Sequence, residues 1–245
     1  MNAVAIVGLA LGMRHGTDPD HLAAIDGLSR IRPRAMNGVY FALGHGLVVL
    51  LLAVGIGHFL ASRLAFVGPW SLILIGAVNL WRLFGGSSQL SAKPRLVIAQ
   101  PFLLGMLLAA GFETASQLSA LILAGQGSAL LLGAMFSAGM VLVDGFDGYL
   151  AASTQHLAAF GQANAKTASR ALAVVVVIFA FGLGASELMG AELTCLALPL
   201  GLTLFAIVIA IRIWARSNGN GINAVLRGLS PGTTRAAAED QPTGG

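Results

Sequence analysis

Residues 3–25 read AVAIVGLALGMRHGTDPDHLAAI. The stretch is apolar at both ends and long enough to cross the roughly 30 Å hydrocarbon layer as a helix, which takes about 20 residues. Its middle, Arg14-His15-Gly16-Thr17-Asp18-Pro19-Asp20-His21, carries charged and imidazole groups that a plain span does not need, and Asp26 follows. An ionisable side chain at the bilayer centre costs on the order of 2.5–3.5 kcal/mol on insertion scales, so a cluster of them calls for pairing or function. On an unbroken helix His15 and Asp20 diverge by about 140°, at about 100° per residue, and cannot face one point. Pro19 supplies a break: it lacks the N–H that would bond the His15 carbonyl, and its ring opens the turn. A discontinuous helix with imidazole, carboxylate and free carbonyl groups beside a cavity is how transporters build ion sites near the midplane.

The rest of the chain agrees with a membrane setting. Of 245 residues, 56% are hydrophobic and 10% charged, with mean hydropathy +0.83, whereas soluble domains carry about 25% charge. Apolar runs predict seven spans, near 3–25, 37–61, 66–84, 97–124, 128–153, 169–189 and 192–214, in one transmembrane domain over 1–216. The stretch 217–245, rich in Gly, Pro, Thr and Ala, is expected to be a disordered cytoplasmic tail. The net charge of +4 does not signal nucleic acid, because the basic residues sit in short loops rather than one stripe. On the seven-span map every Lys and Arg except Arg63 and Arg14 falls on one side, including Arg30, Arg82, Lys166, Arg212 and Arg216. The positive-inside rule then puts the N-terminus outside and the C-terminus in the cytoplasm, in a bacterial-type inner membrane. The start lacks the basic region and cleavage site of a signal peptide and is read as mature helix one. The lone Cys195, in an apolar run, leaves no disulfide framework or thiolate cluster. Gly8, Gly12 and Gly16 give helix one a flat stripe for a neighbouring helix.

Polar groups recur inside later spans. Helix two holds Gly44-His45-Gly46, helix four Glu113 and Gln117, and helix five Asp144 and Asp147, which share a helix face. The candidate metal ligands are His15, Asp20 and His21 in the first rank and His45, Glu113, Asp144 and Asp147 in the second. Asp18 is a weaker candidate, since Arg14 four residues before it offers an internal salt bridge. For Glu113 or Asp147, structural hydrogen bonding or proton coupling is a near-equal alternative. Imidazole and carboxylate without thiolate suit nickel, cobalt, zinc or manganese better than copper(I).

At these residues the chain resembles the nickel/cobalt transporter family, NiCoT. His15, Asp20 and His21 match its His-x4-Asp-His signature within RHGTDPDHLAAIDGLSR, and LGHG at Leu43–Gly46 resembles the helix that follows. GFETASQ at Gly111–Gln117 and GMVLVDGFDGYL at Gly139–Leu150 resemble two further family motifs. Gln117 stands where the family tends to have Glu, and Gly145 where it has Thr. The family's signature helix is usually second of eight, so a seven-span chain fits the loss of the first. Membership implies uptake of Ni2+ or Co2+ as substrate without ATP, and no G-x4-G-K-[ST] loop occurs.

Short words also recur: Leu11-Gly12-Met13 with Leu104-Gly105-Met106, His21–Ile25 with Gln117–Leu121, and Phe41–Gly44 with Phe136–Gly139. They suggest a 3+3 inverted repeat plus one helix. The expectation is an all-α polytopic permease, not an enzyme, with a divalent metal ion and the bilayer as partners and no cofactor. Two alternatives stand beside it: an efflux permease or accessory protein for metalloenzyme assembly, and a membrane-embedded metal enzyme, disfavoured by the lack of an H-E-x-x-H helix.

Overall fold

The hydrogen-bonding conflict at Pro19 is resolved by splitting the first span into two helices. In a computed structural model that describes residues 3–53, 66–84, 100–111, 128–191 and 194–217, α1 runs Ala3–His15 and α2 Pro19–Ile31. Asp18 takes the extended backbone (φ −64°, ψ 145°) that a residue before proline favours, and Pro19 opens α2, where its missing N–H has no helical partner to lose. The His15 carbonyl is not left free, as the proline argument expects: the Asp18 N–H bonds it at 2.9 Å. Thr17 closes α1 likewise, its N–H and Oγ1 both donating to the Arg14 carbonyl, at 3.0 and 2.6 Å. The second helix runs on to Ile31 rather than stopping near residue 25, because Arg30 and Asp26 pair across one turn.

Six further helices complete the described chain: α3 Asn37–Ala53, α4 Val67–Phe84, α5 Pro101–Gly111, α6 Ala129–Ala159, α7 Ala163–Leu188 and α8 Thr194–Ser217. Ser128 caps α6 by accepting from the Leu131 N–H at 3.2 Å, and Gly161 (φ 90°) turns the chain into α7. Among the described residues every element is a helix, and four stretches are each long and apolar enough to cross a bilayer: α4, α6, α7 and Leu198–Arg216 of α8. Their outer faces carry exposed Trp81, Leu142, Phe146 and Ile178, as lipid contact requires. The chain is an all-helical, multi-pass membrane protein. Residues Glu113, Gln117 and the stretch 218–245 lie outside the described residues.

The centre of the assembly is α2, buried without interruption from Pro19 to Ser29. Its Ala24, Ile25 and Leu28 join Phe41 of α3, Leu72 and Ile75 of α4, Leu104 and Leu108 of α5 and Val176 of α7 in one apolar core. A helix buried on every face is polar only where neighbours or cargo answer it. Glycine brings the surrounding helices close. The Gly8, Gly12 and Gly16 stripe packs on α6, where a Cβ on Gly12 would overlap the Phe136 carbonyl, and one on Gly139 the Leu9 carbonyl. A second pair has the same design: Gly105 of α5 lies against the Phe41 carbonyl, and Gly44 of α3 against the Phe102 carbonyl.

Candidate metal site

The break at 16–18 turns the ends of α1 and α2 toward each other, and the rings of His15 and His21 come to 4.6 Å, edge to face. His45 of α3 completes a triangle, with ring centroids 5.1 Å from His15 and 4.6 Å from His21. One ligand atom from each of the three lies within 4.8 Å of the other two. Nitrogens on one first-row ion stand roughly 3–3.5 Å apart, from metal–nitrogen distances of about 2.0–2.1 Å.

Two of the imidazoles are held by carboxylates. His15 Nδ1 donates to Asp18 Oδ2 at 2.7 Å, and His21 Nδ1 to Asp144 Oδ2 of α6 at 3.0 Å, with His21 and Asp144 both fully buried. Each bond assigns a proton to Nδ1, and in the neutral ring Nε2 then keeps its lone pair. His15 Nε2 lies 3.2 Å from His45 Nε2, a distance at which His45 donates to it. His21 Nε2 is buried and has no protein partner, and neither do His45 Nδ1, Asp18 Oδ1, Asp20 Oδ2 and Asp144 Oδ1. A buried polar atom without a partner costs about 1–3 kcal/mol. Five such atoms on these residues are what a site for a positive guest would carry.

The structure therefore gathers the sequence candidates differently from their ranking. The His15 and His21 rings meet, and the third ligand atom within 4.8 Å of theirs comes from His45 rather than Asp20. Asp20 is buried beside His21 but outside that triangle. Asp18 and Asp144 orient imidazoles. Asp147 sits elsewhere, ion-paired with Arg212 of α8, whose other Nη donates to Asp26 at 2.9 Å. Arg212, expected on the cytoplasmic side at the end of the last span, is instead fully buried. It reads as a loop cation in sequence only because it lies near the end of an apolar run; an arginine inside a span needs a partner, and that was the available signal. Glu113 lies outside the described residues. His156 is exposed and donates to the Pro33 carbonyl at 3.1 Å, away from the triangle.

Residues 1–66 match the family model described as high-affinity nickel-transport protein. The chain is 32% identical to the hydrogenase nickel incorporation protein HupN of Bradyrhizobium diazoefficiens, covering 62% of this chain and 54% of that protein. It is 29% identical to the nickel transporter NicT of Mycobacterium tuberculosis, over 59% of this chain and 55% of the relative. The nickel transporter NixA of Staphylococcus aureus is 27% identical over 76% of this chain and 72% of its own. The chain thus spans a little over half the length of HupN and NicT. No solved structure matches it.

Proposed function

We propose that this chain, which its matches place in the nickel/cobalt transporter family, is a permease that carries Ni2+, and Co2+ by the same chemistry, into the cell. The observation that carries the reading is the buried triangle of His15, His21 and His45 at a helix break, with His21 Nε2 left without a protein partner. Imidazole nitrogen backed by carboxylate is a strong donor to late first-row divalent ions. Aspartates 18, 20 and 144 around it offset the ion's charge, so the ion is drawn from water without a fixed protein cation in its place. A binding step of this kind needs no ATP. At about 2.3 kcal/mol per charge per 100 mV, a divalent ion gains roughly 4.6 kcal/mol on entering, which sustains about three decades of accumulation.

Seven spans with the N-terminus outside remain the topology that segregates the basic residues. The repeated glycine contacts, Gly12 on Phe136 with Gly139 on Leu9, and Gly105 on Phe41 with Gly44 on Phe102, support the 3+3 repeat that the paired words suggest. In that reading α1·α6 and α5·α3 are equivalent helix pairs whose rocking would open the triangle to either side in turn.

A second reading, favoured by HupN, is an accessory protein that hands nickel to a metalloenzyme. Uptake of nickel and of cobalt into proteoliposomes holding the purified chain alone separates the two. Accumulation driven by an inside-negative potential, lost in His21→Ala at equal protein, is the expected result; no flux in the wild type would overturn the permease reading.

A further inference from the structure

Directly beyond the histidine triangle, α2 and α6 carry a second pair of acids. Asp26 stands five residues after His21, a rise of about 7.5 Å, and Asp147 three residues after Asp144, about 4.5 Å. Both steps lead the same way, toward Arg30 and Ser169. Asp26 and Asp147 are almost wholly buried, at 2% and 0% exposure, and one guanidinium bridges them. Arg212 donates through one Nη to Asp26 Oδ1 at 2.9 Å and through the other to the carboxylate and carbonyl of Asp147.

The four ionic groups are not equivalent. Arg30 is anchored independently of the acids: besides Asp26 Oδ2 it bonds the Ser169 hydroxyl and carbonyl of α7. Among the described residues the hydrogen bonds of Arg212 run to Asp26 and Asp147, and its Nε has no partner. Asp147 Oδ2, fully buried, has none either, so this carboxylate can accept more than the guanidinium gives it. Arg212 also belongs to the helix best placed to move it. α8 contains Pro199, presses Gly201 against the Thr17 carbonyl of the break, and reaches Arg212 three turns later. Beside Asp26, where α8 meets α2 and α7, a small apolar cleft lined by Leu22, Leu204 and Val208 leaves room of about 10 Å³. Arg212 is five residues from the end of α8, within reach of the surface for so long a side chain.

We propose that Asp26 and Asp147 form a second cation station on the transport path, which the Arg212 guanidinium fills in the state seen here and a divalent metal ion takes over in transit. Arg212 is then a tethered stand-in for the cargo. It keeps two buried carboxylates compensated when no metal is present and closes the path below the histidines. Withdrawal of α8 would expose the station to an ion leaving the triangle. The inference rests on the permease reading, and its test separates the two.

The test is nickel binding to the purified full-length chain by calorimetry, with Ni2+ alone as titrant, beside nickel uptake in proteoliposomes. The wild type is expected to bind about one equivalent, Arg212→Gln about two because the station is vacated with both acids intact, and Arg212→Gln with Asp147→Asn about one again. A single equivalent in Arg212→Gln, with the triangle's binding unchanged, overturns the station. The double variant removes one charge of each sign and decides the matter where the single one fails to fold. Its uptake should fall by about tenfold or more while the triangle still binds, and a wild-type rate overturns the proposal. Binding by Arg212→Gln but not by the wild type keeps the station and sinks the triangle; binding by neither sinks both.

Discussion

Removing the carboxylate behind His21 tests the metal site without touching a ligand. Asp144 accepts from His21 Nδ1 at 3.0 Å, and both side chains are fully buried, so solvent does not screen the contact or replace it. Asp144→Asn keeps an amide oxygen in place to accept that bond and loses only the charge. A charge-assisted bond contributes about 1.5–3 kcal/mol against about 1 for a neutral one, so the change should weaken nickel binding by roughly tenfold. Asp144→Ala removes the acceptor as well, leaves the Nδ1–H without a partner and lets the ring turn, so roughly a hundredfold loss is expected. His21→Ala, which deletes the donor nitrogen, should be worse than either. The assay is calorimetric nickel binding to the detergent-purified chain, with the thermal midpoint as a check on folding; both Asp144 variants make α6 less polar and should insert as well as the wild type. Wild-type affinity in Asp144→Ala would refute the reasoning, because the His21 ring would then be oriented by something other than this bond.

Reporter fusions after Arg34 and Lys166 should read cytoplasmic and one near Gln126 periplasmic; a cytoplasmic signal at Gln126 removes the seven-span map. Gly12→Leu and Gly105→Leu should each lower the thermal midpoint and membrane abundance, by a comparable amount if α1·α6 and α5·α3 are equivalent, since each forces apart two backbones in contact and overpacking costs about 1–3 kcal/mol or more. Pro19→Ala should leave abundance nearly unchanged, because Pro19 occupies the first turn of α2, yet weaken nickel binding by freeing Asp18 from its extended backbone; a wild-type affinity would show that the break does not depend on proline.

The break, two of the three histidines of the triangle and the membrane setting are legible in the sequence because each is local. Pro19 follows Asp18 directly, and five residues separate His15 from His21, so chain geometry alone limits where they go. His45 is visible as a polar residue among glycines, but its promotion over Asp20 depends on how α3 packs beside the break, which no helical period encodes. Asp144 and Asp147 share a face of α6, and sequence spacing gives them one role. Their partners come from different helices, His21 of α2 and Arg212 of α8, and that divides the roles. The pairing of Arg212 with Asp26 spans 186 residues and has no local trace beyond the arginine's place in an apolar run.

What separates the open site from the filled station along α2 is the state of its buried polar atoms. At its far end both oxygens of Asp26 are taken, by Arg30 and Arg212, and Asp147 on the second arginine makes the group of two acids and two arginines neutral. At its near end Asp20 Oδ2 and His21 Nε2 stand without protein partners, as do one oxygen each of Asp18 and Asp144. Each such atom costs about 1–3 kcal/mol, and a chain could remove one of these costs by exchanging Asp20 for an apolar residue. Keeping the cost on a helix buried on every side makes sense only where an ion repeatedly offsets it. The same comparison explains why Asp147, with one oxygen paired and the other not, lies between the two classes: it is closed by a side chain that can leave.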